Sequence, residues 1–272
     1  MLEKLVPHDT VFAQGPFMSH EARYNLIHLI GERQEGATCF KTVDGRMIYA
    51  QSHGHPAWLW LSDDVRSEER CMIMKELAHR IQRTVLPGIT GDPKTVKMFA
   101  EIYSEASGLP YHTRMMMEAY VCPEVNRPVG VQGSLRLASR QDIEVIAAFL
   151  AGFSEGAYGV VVDPASQVPA AEQMVEAGGL YVWMVPGKPV SMANIAHRSP
   201  RHARINAVYT PPEERHKGFA SALVAEMCAV VMRENLEPML YEDLMNPASN
   251  KVYKNIGFVE CGTIAAIGFG QS

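Results

Sequence analysis

The stretch INAVYTPPEERHKGFASALVAEM, residues 205–227, decides how this chain is read. Up to Thr210 it is a strand, and Pro211-Pro212 ends it. Ala220, Leu223, Val224, Met227, Val230 and Val231 then recur on one helical face, so a helix runs from about His216 to about Asn235. Arg215-His216-Lys217-Gly218-Phe219-Ala220 lies at the junction. A strand-to-helix loop of this kind aims successive backbone N–H groups at one point, and the helix dipole adds positive potential there. Gly218 has no Cβ and lets a ligand approach the backbone closely. Ala220 keeps the first turn tight against the sheet, and Arg215 and Lys217 add charge. The arrangement suits a pyrophosphate, although a glycine that merely starts a helix stays open on this segment alone. Neither the GxxxxGK[ST] loop of NTPases nor the GxGxxG of dinucleotide folds is present.

A second segment, MLYEDLMNPASNKVYKNIGF, occupies residues 239–258. It has a strand, then Asn246-Pro247 as N-cap and first helical residue, then a helix ending at Gly257. Its pattern is Asn246-x-x-Ser249-x-x-Val252-Tyr253-x-x-x-Gly257-Phe258. In order and distance, the two segments together resemble the GNAT superfamily of N-acetyltransferases. RxxGxA is similar to that family's [QR]xxGx[GA] acetyl-CoA loop, and NxxSxxVYxxxGF to its NxxAxxLYxxxGF. The resemblance covers about Gly133–Ile267. It implies that the backbone of Val208, Tyr209 and Thr210 pairs with the pantetheine arm, and that Arg215, His216, Lys217, Gly218, Phe219 and Ala220 cradle the pyrophosphate. It places Asn246 and Asn250 at the mouth of a gap between splayed strands. It makes Tyr253 the acid that protonates the leaving thiolate. The competing reading of Tyr253 is a core aromatic in a stripe with Val252 and Ile256. For the base that takes the amine proton, Glu242, Asp243, His197 and a water chain all stay open. Their plainer readings are a solvated carboxylate, a turn-former before Asn246, and a polar filler on an edge strand.

Composition narrows the alternatives. The chain has 272 residues, 47% hydrophobic and 20% charged, enough for a sizeable core in one large or two modest domains. Lys and Arg number 25 against 30 Asp and Glu, a net charge of −5, which excludes the strongly basic footprint of a nucleic-acid binder. No apolar run is long enough to span a bilayer, and the MLEKLVPHDT start has no signal core. The five cysteines have no metal-ligand spacing and read as reduced thiols in a cytoplasmic protein. Met115–Met117 reads as part of a buried strand. His53-Gly54-His55 reads as a turn rather than a metal pair.

CPEVNRPVGVQG (122–133) is crowded with Pro, Gly and Asn and marks a boundary. The expected division is an N-terminal α/β domain over 1–128 and a GNAT domain over 129–272. In the latter, Ser139 with Asp142 forms a capping box before the helix carrying Ile143, Ile146, Ala147 and Leu150. A second helix is expected over Ala165–Ala177, and strands over 134–138, 180–185, 189–197 and 258–267. The N-terminal half predicts helices over Glu21–Ile30 and Ser67–Arg83 and from Pro93, with strands over 38–43, 46–52, 57–61, 84–89 and 111–121. Both halves show helix, strand, Asx-Pro, helix, Gly, strand, consistent with a degenerate GNAT-like repeat or with chance. The N-terminal half lacks the [QR]xxGx[GA] loop. The expected fold class is α+β with a mixed sheet. The expected activity is acetyl-CoA-dependent transfer to a primary amine of a small molecule, without a metal, nucleic acid or membrane. A homodimer is left open. The alternatives are a protein or peptide amine as acceptor, and a non-catalytic CoA-binding regulatory module.

Overall fold

A computed structural model describes residues 1–33 and 36–270. In chain order the elements are β1 (Leu2–Lys4), α1 (Asn25–Arg33), β2 (Ala37–Thr42), β3 (Met47–Ser52), β4 (Ala57–Leu61), α2 (Ser67–Ile81), β5 (Gly88–Gly91), α3 (Pro93–Ser107) and β6 (Tyr111–Val121). There follow β7 (Ser134–Leu137), α4 (Ile143–Tyr158), α5 (Val168–Glu176), β8 (Leu180–Val185), β9 (Lys188–Arg198), β10 (His202–Tyr209), α6 (Phe219–Arg233), β11 (Glu237–Asp243), α7 (Pro247–Ile256) and β12 (Val259–Phe269). The class is α+β with mixed strand pairing, as expected.

Two compact units divide the chain. The first holds Met1–Tyr120, Tyr241–Asn246 and the chain from Glu260; the second holds Val121–Leu240 and Pro247–Val259. A division at 128/129 assigns all the later chain to one domain, whereas two of its segments pack in the first unit. A boundary sought in loop composition misses them, because β11 and β12 are ordinary strands in sequence.

In the first unit the strands lie in the order β1-β2-β3-β4-β5-β12-β6. β1 through β4 pair antiparallel, β4 and β5 parallel, and β12 antiparallel to β5. In the second the order is β11-β10-β9-β8-β7, antiparallel from β7 to β10 and parallel between β10 and β11. Strands β1–β5 and β7–β11 thus share both order and sense, which is consistent with a repeat rather than a chance match of local patterns. Ala57-Trp-Leu-Trp-Leu61 shows why the first sheet is hydrophobic without alternation. Ala57, Leu59 and Leu61 face the core under α2 and α3, while Trp58 and Trp60 face the core under α1. In the second unit Leu180, Val182 and Met192 pack under α4 and α5.

Several boundaries differ from expectation. The first helix begins at Asn25: Pro16–His20 forms a 3-10 helix, and residues 21–24 form a turn that leads from it into α1. The strand expected over 84–89 is Gly88–Gly91. Pro87 lacks an N–H, and a Cβ at Gly91 would stand 2.2 Å from the Leu59 carbonyl oxygen, so a glycine-rich segment serves as a central strand. Residues 164–167 are 3-10, leaving α5 to start at Val168. Met115–Met117 lie in β6, half-buried. His53 and His55 sit in a turn closed by the His55 N–H on the Ser52 carbonyl at 3.0 Å.

The expected capping box is present. Asp142 accepts from the Ser139 N–H at 2.7 Å and lies 2.9 Å from its hydroxyl, and it is bidentate with Arg136 at 2.7 and 3.0 Å. Burial alone pushes the Asp142 carboxyl up, but the bonds from Arg136 and Ser139 outweigh it and hold it below the ordinary carboxylate value. Asp142→Asn is therefore expected to lower stability by about 1–2 kcal/mol at neutral pH, read by urea unfolding. A depressed folded pKa contributes stability that is present above the unfolded value and lost as pH falls through the folded one. The two proteins should converge in acid.

Candidate functional site

The site is built on an interrupted strand. β10 pairs with β11 only at His202↔Glu237, Ala203↔Pro238 and Arg204↔Met239, yet it runs on to Tyr209. On its other edge the register with β9 passes from Asn206↔Asn194 to Tyr209↔Met192, so Ala207 and Val208 oppose Ala193 alone. This is a β-bulge, and Ala207 takes φ 51°, a conformation rare for a residue with a Cβ. A further register shift lies between Arg204 and Ile205, where the ladder to β11 ends. Past Arg204 the β11-facing edge of β10 has no ladder to β11 and can accept an extended chain.

The end of β10 is held from behind. Ser191, fully buried in β9, donates from Oγ to the Tyr209 carbonyl at 2.8 Å and lies 2.8 Å from Thr210 Oγ1. The Tyr209 ring packs on Phe149 of α4, with centroids 5.8 Å apart. A Cβ on Gly152 of α4 would come within 2.1 Å of its hydroxyl. Burial pushes the Tyr209 phenol up.

The loop from Thr210 to Gly218 is clamped at both ends. Arg215 Nε donates to the Thr210 carbonyl at 3.0 Å. Glu214, the buried member of the loop, receives Lys188 at 2.6 Å and Lys217 at 2.8 Å, and these lysines hold its carboxyl below the usual range. Arg215 and Lys217, expected as bare charges for a phosphate, therefore also brace the loop. His216 and Gly218 have φ of 62° and 81°, so the helix begins at Phe219 rather than near His216. Gly218 is required by this left-handed conformation as well as by close approach. It offers no side-chain cap, and α6 starts with first-turn N–H groups that the helix itself cannot satisfy. Phe219 is buried and Ala220 half-buried.

On α7, Tyr253 is buried and packs edge-on to Phe258, with centroids 5.7 Å apart at 67°. The helix rests on α6. Its far end is fixed by the Asn126 N–H on the Ile256 carbonyl at 2.7 Å. Asn250 is half-buried on α7, and Asn246 precedes the helix in the segment belonging to the first unit. Asp243 accepts the Met245 N–H at 2.8 Å and so forms the turn before Asn246. His197 lies in β9 opposite Arg204. Ser191 and Glu214 carry no motif. A serine inside the apolar run Val190–Ala193 was the one available signal.

The corresponding loop of the first unit, between β4 and α2, has the opposite polarity. Arg70 turns back and donates to the carbonyls of Val65, Ser62 and Asp63 at 2.7, 2.9 and 3.0 Å. Glu68 and Glu69 occupy the first turn of α2, and Glu69 pairs with Arg46. Carbonyls gather around a cation here, where the second unit has N–H groups and no acid in the first turn of α6.

Solved structures with this architecture cover nearly the whole chain. A GNAT-family acetyltransferase from Colwellia psychrerythraea covers 100% of both chains at 10% identity with a TM-score of 0.57. This is the GNAT fold. A GCN5-related N-acetyltransferase from Sphaerobacter thermophilus shares it over 98% of this chain and 94% of its own, at 14% identity and a TM-score of 0.57. A Drosophila protein shares it over 93% of each chain, at 11% identity and a TM-score of 0.62. In sequence, residues 181–264 match the family model described as FR47-like protein. No curated protein matches. Among the described residues no helix is long and apolar enough to cross a membrane.

Within this GNAT fold, Ser191 fixes the strand end on which the loop depends. Ser191→Ala should cost about 1 kcal/mol in denaturant unfolding. It should also speed amide exchange over Tyr209–Gly218 while leaving α4 and α5 unchanged.

Proposed function

We propose that the chain is an acetyl-CoA-dependent N-acetyltransferase that acts on the primary amine of a small molecule. What carries this reading is the uncapped, glycine-started N-terminus of α6, directly after a strand that leaves its parallel partner at Arg204. A diphosphate fits N–H groups that no helix bond satisfies. An amide-bearing arm fits an edge without a neighbouring strand. Acetyl-CoA, when bound, supplies the acetyl thioester.

The roles of the chain's own residues follow from that fit. The N–H groups of Gly218, Phe219 and Ala220, with Arg215, His216 and Lys217 around them, hold the pyrophosphate. The backbone of Val208, Tyr209 and Thr210 holds the arm, and an N–H near Val208 faces the developing oxyanion. Asn246 and Asn250 hydrogen-bond the arm from the side of α7. Tyr253 gives its proton to the departing thiolate, and its burial against Phe258 keeps the phenol in one orientation. The acceptor amine attacks in its neutral form.

The reading is tested first by binding. Gly218→Glu places a carboxylate on the anion site and forces a Cβ into a left-handed position, so acetyl-CoA binding measured by calorimetry should nearly vanish in a folded variant. Wild-type affinity would reject the loop assignment. The wild-type protein should take one acetyl-CoA per chain, because Arg70 fills the corresponding loop of the first unit. A stoichiometry near two would overturn that part.

Chemistry is tested by free-thiol release across a panel of small amines and peptide amines. Thiol release with peptides alone would move the acceptor class, and binding without release would make the chain a CoA-binding module. With the best acceptor, Tyr253→Phe should lower turnover by roughly 10²–10⁴-fold while acetyl-CoA affinity and stability hold. Turnover within a few-fold of wild type would make Tyr253 a packing residue and pass the proton to another donor.

A further inference from the structure

The first unit holds a cavity of about 920 Å3 beneath α1, within the range of small-ligand sites. Its wall is the Leu26, Leu29 and Ile30 face of α1, and its floor is sheet. That sheet face is otherwise apolar, with Ile48, Ala50, Trp60 and Ile264. At the cavity it turns polar. Thr90 of β5 lies beside Trp58 of β4 in register, and both are buried. Neither the Thr90 hydroxyl nor the Trp58 indole N–H has a hydrogen-bond partner among the described residues. Both residues line the cavity, as does Ser52. Both atoms are open to the cavity rather than sealed in the core, so they present a hydrogen-bonding floor to a ligand that displaces solvent there. At the rim stand Arg33 and His55, both exposed.

We propose that this cavity is a binding site for a small amphipathic carboxylate. The apolar or aromatic body lies over Trp58 against Leu26, Leu29 and Ile30. A hydroxyl or carbonyl oxygen at one end accepts from the Trp58 N–H and bonds Thr90. The carboxylate at the other end meets Arg33 at the rim, where it stays partly solvated. The polarity runs in one direction: neutral hydrogen-bonding groups at the floor, the Arg33 guanidinium at the mouth. An amine of the same shape meets the wrong charge. The site is lined by first-unit residues alone and stands whether or not the chain acetylates amines.

The experiment is calorimetry on the full chain without acetyl-CoA, using 3-(4-hydroxyphenyl)propionate, 3-phenylpropionate, which lacks the hydroxyl, and 4-ethylphenol, which lacks the acid. The hydroxy acid should bind once per chain, and each of the other two should bind about tenfold more weakly. Thr90→Val, which keeps the side-chain shape, should remove the difference between the two acids. Arg33→Gln, a surface change, should remove the difference between the hydroxy acid and the phenol. The proposal is overturned if the hydroxy acid shows no saturable binding, or if it binds and both variants leave all affinities unchanged.

Discussion

Everything at the candidate site depends on a parallel ladder that stops. β10 and β11 share three register pairs and then part at Arg204, where the first of two register shifts along β10 falls; the second is the bulge at Ala207–Val208. A continuous ladder would satisfy the backbone of Ile205–Tyr209 and leave nothing for a ligand to pair with. The cost is a non-glycine residue at positive φ and a strand end with lost partners. Ser191 beneath the Tyr209 carbonyl, Arg215 on the Thr210 carbonyl and Lys188 on Glu214 offset that cost by holding the strand end and the loop from three directions.

The two units make the same point by contrast. They share strand order and pairing sense through β1–β5 and β7–β11, and each has an Asx-Pro helix after its parallel strand. They differ in the polarity of one loop. In the first, Arg70 satisfies three carbonyls from within, so the loop is closed by its own helix. In the second, a left-handed glycine turns N–H groups outward at the start of α6. One fold therefore carries an open, glycine-started helix N-terminus in one unit and a self-contained turn in the other.

Much of this was legible in the sequence where local chemistry decides the structure. The Ser139–Asp142 box, the Asx-Pro start of α3 and the stripe of α6 each act over a few residues, and each appears in place. β5 was hidden because Gly88 and Gly91 look like loop residues until the Leu59 carbonyl is seen against Gly91. The membership of β12 in the first unit was hidden because partner choice between strands is not a local property. At the site, RxxGxA marked the loop between β10 and α6, but not that Arg215 and Lys217 brace it or that Ser191 anchors it. Those roles come from contacts across 3 to 18 residues of chain, which the folded loop and the β9–β10 pairing bring together.

On the proposed function, one unit takes acetyl-CoA through β10 and the start of α6, and the other does not. Hydrogen–deuterium exchange with and without acetyl-CoA reads both loops in one experiment. The account predicts added protection over Ala207–Ser221 and along α7, with Leu61–Arg70 unchanged. Protection at Leu61–Arg70, or no change at Ala207–Ser221 under saturating acetyl-CoA, would contradict it.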